Sequence, residues 1–205
     1  MNNKNVILCD LGGVLIDLNW EESARILFGK NLSKDRLREM WLSISAIVEF
    51  ESGKCTFKEF YESFISELKS ELSFAEFKEG FEAIIGPEKP NCKQILEELK
   101  DLGTLALLSN TNRIHIEKLR KGSSMLEIFD NLFLSYEMGK TKPSADVFHE
   151  VCSKLQVVPK QIFFFDDSPQ NIKGAKSIGY NAYQVESPAE ILEIVKNRRI
   201  NAGNN

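Results

Sequence analysis

The sequence predicts an α/β protein: a Rossmann-like parallel sheet covered by helices on both faces, with a small helical cap inserted after the first strand. A short apolar run, Val6–Cys9, lies near the start of the chain and is typical of a buried strand. From Cys92 onward, apolar runs alternate with amphipathic helices, a pattern that indicates βαβ units and a parallel sheet. Residues 20–85 instead show helical periodicity with almost no strand signal.

The inserted segment is expected to be a helical cap of residues 18–86. Helices are predicted over Trp20–Phe28 and from Ser33, and two capping boxes, Thr56–Glu59 and Ser73–Glu76, predict the starts of two more. The apolar stripes of the last three helices are Leu37, Met40, Trp41 and Ile44; Phe57, Phe60, Phe64 and Leu68; and Phe77, Phe81, Ile84 and Ile85. Stripes at this spacing are typical of the core of a small helical bundle.

The core domain is predicted to comprise residues 1–17 and 87–205. Its later strands are expected at 104–108, 131–135, 162–165 and 181–185, with helices around 95–102, 114–119, 144–155, 168–178 and 189–195 between and after them. In such a sheet, ligands bind beyond the carboxyl ends of the strands. Polar residues that follow the strands are therefore expected to share one crevice.

Composition excludes several classes of protein. The 205 residues are 42% hydrophobic and 27% charged, as in an ordinary globular domain. A net charge of −4 without a basic stripe argues against a nucleic-acid partner. No apolar run reaches the length of a membrane span, and a strand at residue 6 leaves no room for a signal peptide. We therefore expect a cytoplasmic protein, monomeric or homodimeric, without a membrane partner.

The four cysteines include no C-x-x-C pair, which excludes a recognisable zinc site and does not suggest a disulfide scaffold. Cys9 lies inside the first predicted strand. It is expected to be a small buried residue.

Polar residues follow four of the predicted strands. In chain order they are Asp10; Ser109 and Asn110; Lys140 and Lys142; and Asp166 and Asp167. A carboxylate can attack phosphorus, a hydroxyl and an amide can hold phosphoryl oxygens, a lysine neutralises charge, and paired acids bind Mg²⁺. Each group also has a simpler interpretation as a helix cap, a turn or a solvated loop residue. Their joint occurrence at strand ends favours a phosphoryl-transfer site.

Over essentially its whole length the chain resembles the haloacid dehalogenase-like (HAD) hydrolase superfamily. The matching motifs are Asp10-Leu11-Gly12-Gly13-Val14-Leu15, Leu107-Leu108-Ser109-Asn110, Lys142-Pro143 and Phe165-Asp166-Asp167-Ser168. The inserted helices resemble the C1-type cap of that superfamily. Through Ser109-Asn110-Thr111-Asn112-Arg113, the chain is most similar to the small sugar-phosphate phosphatases typified by α-glucose-1-phosphate phosphatase.

The resemblance implies a role for each matching residue. Asp10 would be the nucleophile that forms an aspartyl-phosphate. The implied Mg²⁺ ligands are Asp10, the backbone carbonyl of Gly12, Asp167, and Asp166 directly or through water. The implied phosphate-binding groups are Ser109, the backbone amide of Asn110, and Lys142, for which Lys140 is a competing candidate. Arg113 and Glu51 are candidate substrate contacts, although an exposed arginine at the start of a helix is the simpler interpretation of Arg113.

One position departs from the family pattern. Most phosphatases of this superfamily carry a second aspartate two residues after the nucleophile as general acid and base, and here that residue is Gly12. Such catalysis contributes about 10²–10⁴-fold in rate. Glu49, Glu51 and Asp17 are candidates to replace it, because the cap and its hinge can bring them over the site. A sugar 1-phosphate, whose anomeric oxygen leaves readily, would need less protonation.

The expected function is therefore that of a Mg²⁺-dependent phosphatase acting on a small phosphorylated metabolite, such as a hexose 1-phosphate. The alternative is a catalytically weak, phosphate-binding regulatory protein, which Gly12 favours. Dehalogenation is disfavoured by the paired acids Asp166 and Asp167, since the dehalogenases of this superfamily need no metal.

Overall fold

The computed structural model describes residues 5–29, 41 and 44–202. Its strands are β1 Val6–Cys9, β2 Ile16–Leu18, β3 Ile85–Glu88, β4 Thr104–Ser109, β5 Asn131–Leu134, β6 Ile162–Asp166 and β7 Asn181–Gln184. Its α-helices are α1 Trp20–Phe28, α2 Ser45–Glu51, α3 Phe57–Leu68, α4 Phe74–Ala83, α5 Cys92–Leu102, α6 Arg113–Gly122, α7 Ser135–Met138, α8 Ala145–Leu155, α9 Pro169–Ser177 and α10 Pro188–Ala202. Within these ranges, none of the helices is both long and apolar enough to cross a bilayer.

The central sheet is parallel and has the strand order β5-β4-β1-β6-β7. The first strand of the chain is therefore its middle strand. Cys9 of β1 is level with Leu107 of β4 on one side and with Phe165 of β6 on the other. Asp10 and the polar residues that follow the two neighbouring strands consequently meet at one edge, as the sequence predicts.

Alternate residues of the strands bury opposite faces of the sheet. Ile7, Cys9, Leu105, Leu107 and Phe165 face one apolar layer, which α5, α6 and α10 cover with residues such as Leu96, Ile116 and Ile191. Val6, Leu8, Ala106, Leu108 and Phe164 face the other, covered by α8 and α9 through residues such as Phe148 and Ile172. Burial of both faces explains why the strands are continuous apolar runs.

The cap helices enclose an aromatic core. Thr56 and Ser73 both form the predicted capping boxes at the starts of α3 and α4. The fully buried rings of this core include Phe60, Phe64, Phe77 and Phe81. The helix predicted from Ser33 lies mostly outside the described residues. Ile44, expected to lie in it, is instead the extended residue that precedes α2, so the chain changes direction there.

A two-stranded antiparallel sheet that the sequence does not predict lies between cap and core. β2 and β3 pair with Leu18 opposite Ile85 and Ile16 opposite Glu88. Ile85 was predicted to lie on the apolar stripe of α4, but that helix ends at Ala83, and Ile85 begins a strand. The predicted domain boundaries, 17/18 and 86/87, fall inside this small sheet and stay a prediction.

A buried histidine joins the core to the cap. His115 of α6 stacks on Phe81 of α4 with ring centroids 4.4 Å apart, and its Nε2 lies 3.0 Å from the Phe81 carbonyl oxygen. Its Nδ1 lies 3.1 Å from Nδ2 of Asn112. Since the amide of Asn112 donates to Nδ1, Nε2 carries the proton that is donated to Phe81. Lys118 reinforces the link by donating to the carbonyls of Glu82 and Ile85.

This arrangement predicts a pH-dependent stability. Burial, against the opposing hydrogen bond to Phe81, lowers the pKa of His115 from 6.5 to about 4. At this histidine the unfolded chain therefore binds more protons than the native chain between these values. The contribution of His115 to the free energy of unfolding should fall by about 3 kcal/mol as pH drops from 6.5 to 4. Urea denaturation across this range, compared between the wild type and His115→Gln, measures the effect. The matched control is His149→Gln, because His149 is exposed. Parallel curves for the wild type and His115→Gln would contradict this.

Candidate active site

Lys142 is the centre of the polar cluster at the carboxyl ends of the strands. Its ammonium lies 2.7 Å from Oδ1 of Asp10 and 2.6 Å from Oδ2 of Asp166. It also donates to the Leu108 carbonyl at 3.0 Å. Lys142 is 5% exposed, Asp10 7% and Asp166 0%, so these charges interact with little screening by water. Lys140, the competing candidate, lies outside the cluster and pairs with Glu150 at 2.9 Å on the surface.

Asp166 is fixed by more than the lysine. Its Oδ1 accepts a hydrogen bond of 2.8 Å from the backbone N–H of Ser168. The Asn171 side-chain amide lies 3.0 Å from both carboxylate oxygens. Both donors belong to the first turn of α9 or to the residue that precedes it. The start of this helix therefore orients the carboxylate, and the positive end of the helix dipole favours its charge.

Three carboxylates lie close together in the cluster. Carboxylate oxygens of Asp10, Asp166 and Asp167 lie within 4.8 Å of one another, and Lys142 is the ammonium paired with two of them. Burial raises the pKa of Asp10 to about 7, with Lys142 opposing the shift and Asp166 adding to it. Desolvation acts to lower the pKa of Lys142, but Asp10 and Asp166 outweigh it, and that pKa is raised. A divalent cation fits a site with this excess of hard oxygen ligands.

The loop after β4 supports the lysine from a second side. The Asn110 side chain accepts a hydrogen bond of 2.8 Å from the backbone N–H of Lys142 and donates one of 3.0 Å to its carbonyl. The hydroxyl of Ser109, which is buried, lies 3.5 Å from the Asn110 carbonyl. The family resemblance implied that the backbone amide of Asn110 binds phosphate. The sequence did not predict that the Asn110 side chain would hydrogen-bond to a residue 32 positions away.

The two glycines after Asp10 have different neighbours. Gly13 has φ +82°, and a Cβ built there would lie 2.8 Å from Oδ2 of Asp167. A Cβ on Gly12 would instead lie 3.2 Å from Cδ1 of Leu18. Gly13 thus admits the carboxylate of Asp167, whereas the Leu18 side chain from β2 lies against the position where related phosphatases carry a second aspartate.

The remaining predicted residues lie at different distances from the cluster. Glu51, the last residue of α2, is half-buried and close enough to Lys142 for that charge to act on its pKa. Arg113 is exposed at the start of α6. Asp17 pairs with Lys89 at 2.9 Å in the small sheet, and Glu49 is exposed. The structure therefore brings Glu51 toward the cluster and separates it from the other two acidic candidates.

An aspartate follows the middle strand of the parallel sheet, a lysine from another loop lies against it, and helices are inserted after the same strand. This combination is typical of one class of hydrolases. The family model of the haloacid dehalogenase-like hydrolases matches residues 4–179. The chain belongs to this family.

Known relatives match over nearly the whole chain. The D-ribitol-5-phosphate phosphatase of Bacteroides thetaiotaomicron is 26% identical over 194 residues, covering 91% of this chain and 94% of the relative. The sesquiterpene phosphatase AstK of Aspergillus oryzae is 25% identical and covers 90% of this chain and 92% of its own. These relatives confirm the predicted class of enzyme, a phosphoric monoester hydrolase of this family.

A solved structure of a HAD family enzyme from Bacteroides thetaiotaomicron, in complex with magnesium and inorganic phosphate, superposes with a TM-score of 0.76. It is 27% identical, with 88% of this chain and 93% of that chain covered. The L-2-haloacid dehalogenase of Xanthobacter autotrophicus, 18% identical with a TM-score of 0.65, shares the fold.

Proposed function

We propose that this chain is a Mg²⁺-dependent phosphatase that hydrolyses a small phosphorylated metabolite, a sugar or polyol phosphate, through an aspartyl-phosphate on Asp10. The observation that carries the proposal is the buried cluster in which Lys142 lies within 2.7 Å of both Asp10 and Asp166. Support comes from relatives that are phosphatases and from a neighbour that binds magnesium and phosphate.

The proposed roles follow from the contacts. Asp10 attacks phosphorus, while Lys142 holds the carboxylate in place and neutralises charge on the transferring group. Ser109 and the backbone N–H of Asn110 bind the phosphoryl oxygens. The residues that would hold Mg²⁺ are Asp10, the carbonyl of Gly12, Asp166 and Asp167. When bound, the ion offsets the negative charge of the carboxylates and the phosphoryl group.

The substrate is proposed from the family resemblance and the relatives. A hexose 1-phosphate agrees with the subgroup that the motifs resemble, and a polyol phosphate agrees with the relative that acts on D-ribitol 5-phosphate. Arg113 and Glu51 are proposed to contact the sugar or polyol, since both lie on helices that border the cluster.

The test is release of inorganic phosphate from a panel of hexose 1-phosphates, hexose 6-phosphates and pentitol 5-phosphates, with Mg²⁺ and with a chelator. We expect turnover on a few of these compounds, abolished by the chelator. Turnover that persists without metal would contradict the proposed cofactor.

A second candidate is a phosphate-binding protein with little catalytic activity. The contact between Leu18 and the position of Gly12 favours it, because the general acid of related enzymes has no counterpart there. Calorimetric binding of phosphate and Mg²⁺ without turnover on any member of the panel would establish this candidate instead.

Gly13 provides a test of the proposed metal ligands. Gly13→Ala should weaken Mg²⁺ binding about 10-fold, because the new methyl group displaces Asp167, and changes that reorient a ligand typically cost 10–100-fold in affinity. Isothermal titration with Mg²⁺ measures this. The matched control is Gly29→Ala, which has the same backbone strain at φ +60° but no atom within 4 Å of the new Cβ. Equal Mg²⁺ affinities for the two variants would show that the close approach of Asp167 to Gly13 does not contribute to metal binding.

A further inference from the structure

We propose that Glu51, at the end of the cap helix α2, is the general acid and base of the reaction and supplies the proton transfer that Gly12 leaves without a residue. This inference rests on the proposed phosphatase function and deepens it. The sequence offered three acidic candidates for this role, Asp17, Glu49 and Glu51, and the inference selects Glu51.

The position of Glu51 is fixed by contacts between cap and core. Gly53, two residues further along, packs so closely on α7 that a Cβ there would lie 2.1 Å from the backbone oxygen of Tyr136. Helix α7 ends at Met138, and the loop after it carries Lys142. The end of α2 is therefore docked against the segment of the core that leads to the central lysine of the site.

The carboxyl of Glu51 lies within range of the charge of that lysine. It accepts a hydrogen bond from the Trp41 side chain and is subject to the charge of Lys142, whose ammonium also touches Asp10 at 2.7 Å. Asp10 approaches the lysine from the end of β1 and Glu51 approaches it from the cap. A phosphoryl group held at Asp10 would thus have its leaving oxygen toward the cap, where Glu51 lies.

The charge of Glu51 is unfavourably placed for stability. A carboxylate at the last residue of a helix lies at the negative end of the helix dipole, and partial burial makes its charge more costly still. Burial raises the pKa of Glu51 to about 7, against the lowering effects of Trp41 and Lys142. A carboxyl group with this pKa is present in both its protonated and its ionised form near neutral pH. A residue that first donates and then accepts a proton needs both forms.

The other two candidates lack these features. Asp17 is held by Lys89 in the small sheet at 2.9 Å. Glu49 is exposed on α2. Neither has a described contact with Lys142 or its neighbours.

The proposed reaction has two steps. A carboxylate oxygen of Asp10 forms a bond to phosphorus as the bond to the leaving oxygen breaks, and the leaving oxygen takes the proton of the Glu51 carboxyl. The alcohol departs. The Glu51 carboxylate then accepts a proton from a water molecule whose oxygen attacks the phosphorus, releasing inorganic phosphate and the Asp10 carboxylate and restoring protonated Glu51.

The experiment compares two leaving groups in the full-length holoenzyme, measured as the first turnover after rapid mixing. p-Nitrophenolate leaves without protonation, whereas the primary alkoxide of a pentitol 5-phosphate or a hexose 6-phosphate does not. Glu51→Gln should slow the first turnover of the alkyl phosphate about 10²–10⁴-fold but change the p-nitrophenolate burst by less than about threefold. Glu51→Gln keeps the acceptor for Trp41, and Glu51→Asp, which retains an acid, should recover part of the alkyl phosphate rate.

The control is Glu49→Gln, which should change neither rate. Equal slowing of both leaving groups by Glu51→Gln would assign Glu51 to substrate positioning and overturn the proposal, as would no change in either. If the wild type releases neither p-nitrophenolate nor phosphate, the proposed phosphatase function is wrong, and the role proposed for Glu51 is wrong with it. That outcome is recognised in the wild type before any variant is made.

Discussion

Asp10→Asn should reduce phosphate release by at least about 10⁴-fold, the loss typical when a covalent nucleophile is removed, and should stabilise the metal-free protein. The substitution removes the attacking oxygen, and it also removes a buried charge. Asp10 is buried beside two other carboxylates within 4.8 Å, and the loss of hydration on burial makes its ionised form unfavourable for folding without a cation. Acid-quenched enzyme should carry covalent phosphate in the wild type and none in the variant.

The stabilisation has a defined dependence on pH. Burial raises the pKa of Asp10 from 3.8 to about 7, so ionisation opposes folding increasingly as pH rises through this interval. Asparagine removes that charge. The variant should therefore be more stable at pH 8 by roughly 2–4 kcal/mol and gain little below pH 4. Added Mg²⁺ should narrow the difference at pH 8, because the cation stabilises the three carboxylates of the wild type.

Asp101→Asn is the matched control, since it removes one negative charge from an exposed position on α5. It should alter neither turnover nor the dependence of stability on pH. A lower melting temperature for Asp10→Asn in metal-free buffer at pH 8 would show that the contact with Lys142 outweighs the cost of burying the Asp10 carboxylate.

The positions of the strands, and the edge of the sheet at which they end, were predictable because each strand is marked by a local pattern of residues. The central strands β1, β4 and β6 are short, mostly apolar runs buried on both faces. The polar residues at their carboxyl ends therefore lie at one edge of the sheet. Asp10 and Asp166 lie on adjacent strands for this reason.

The small sheet was not predictable in the same way. Ile85-Gly86-Pro87-Glu88 has the composition of a turn. Proline is tolerated in it because, among the described residues, β3 pairs on one side alone, with β2. That pairing joins residues about 70 positions apart in the chain. No local pattern encodes it.

The supporting contacts of the site were hidden for a related reason. Asn110 holds the backbone of Lys142, Asn171 holds Asp166, and His115 joins α6 to Phe81. An asparagine near a helix start is a common cap, so its type and position do not distinguish a cap from a long-range partner. The approach of Glu51 to Lys142 depends likewise on how the cap docks.

Lys142→Met should cost both activity and stability. Its ammonium is shared by Asp10, Asp166 and the Leu108 carbonyl, and removal of one partner from a buried ion pair typically costs 3–5 kcal/mol. In a domain of this size that lowers the melting temperature by about 10 °C. Loss of the donor to the transferring phosphoryl group should lower turnover by about 10²–10³-fold. Thermal denaturation and phosphate release measure the two effects.

Lys140→Met is the matched control. Lys140 lies two residues away, and its ion pair with Glu150 is on the surface, where such pairs contribute about 0–1 kcal/mol. The control should therefore keep its activity and lose little stability. The opposite result, with Lys140→Met inactive and Lys142→Met active, would transfer the role in catalysis to Lys140.

The double variant Asp10→Asn with Lys142→Met separates electrostatics from packing. If the cost of Lys142→Met comes from carboxylates left without a cation, removing one of them should restore part of the lost stability and none of the activity. The coupling energy between the two sites should then be 0.5–3 kcal/mol, the range found for residues in direct contact. Additive effects of the two substitutions on stability would show that methionine fails to fill the space of the lysine stem, and that charge pairing with Asp10 contributes little to the fold.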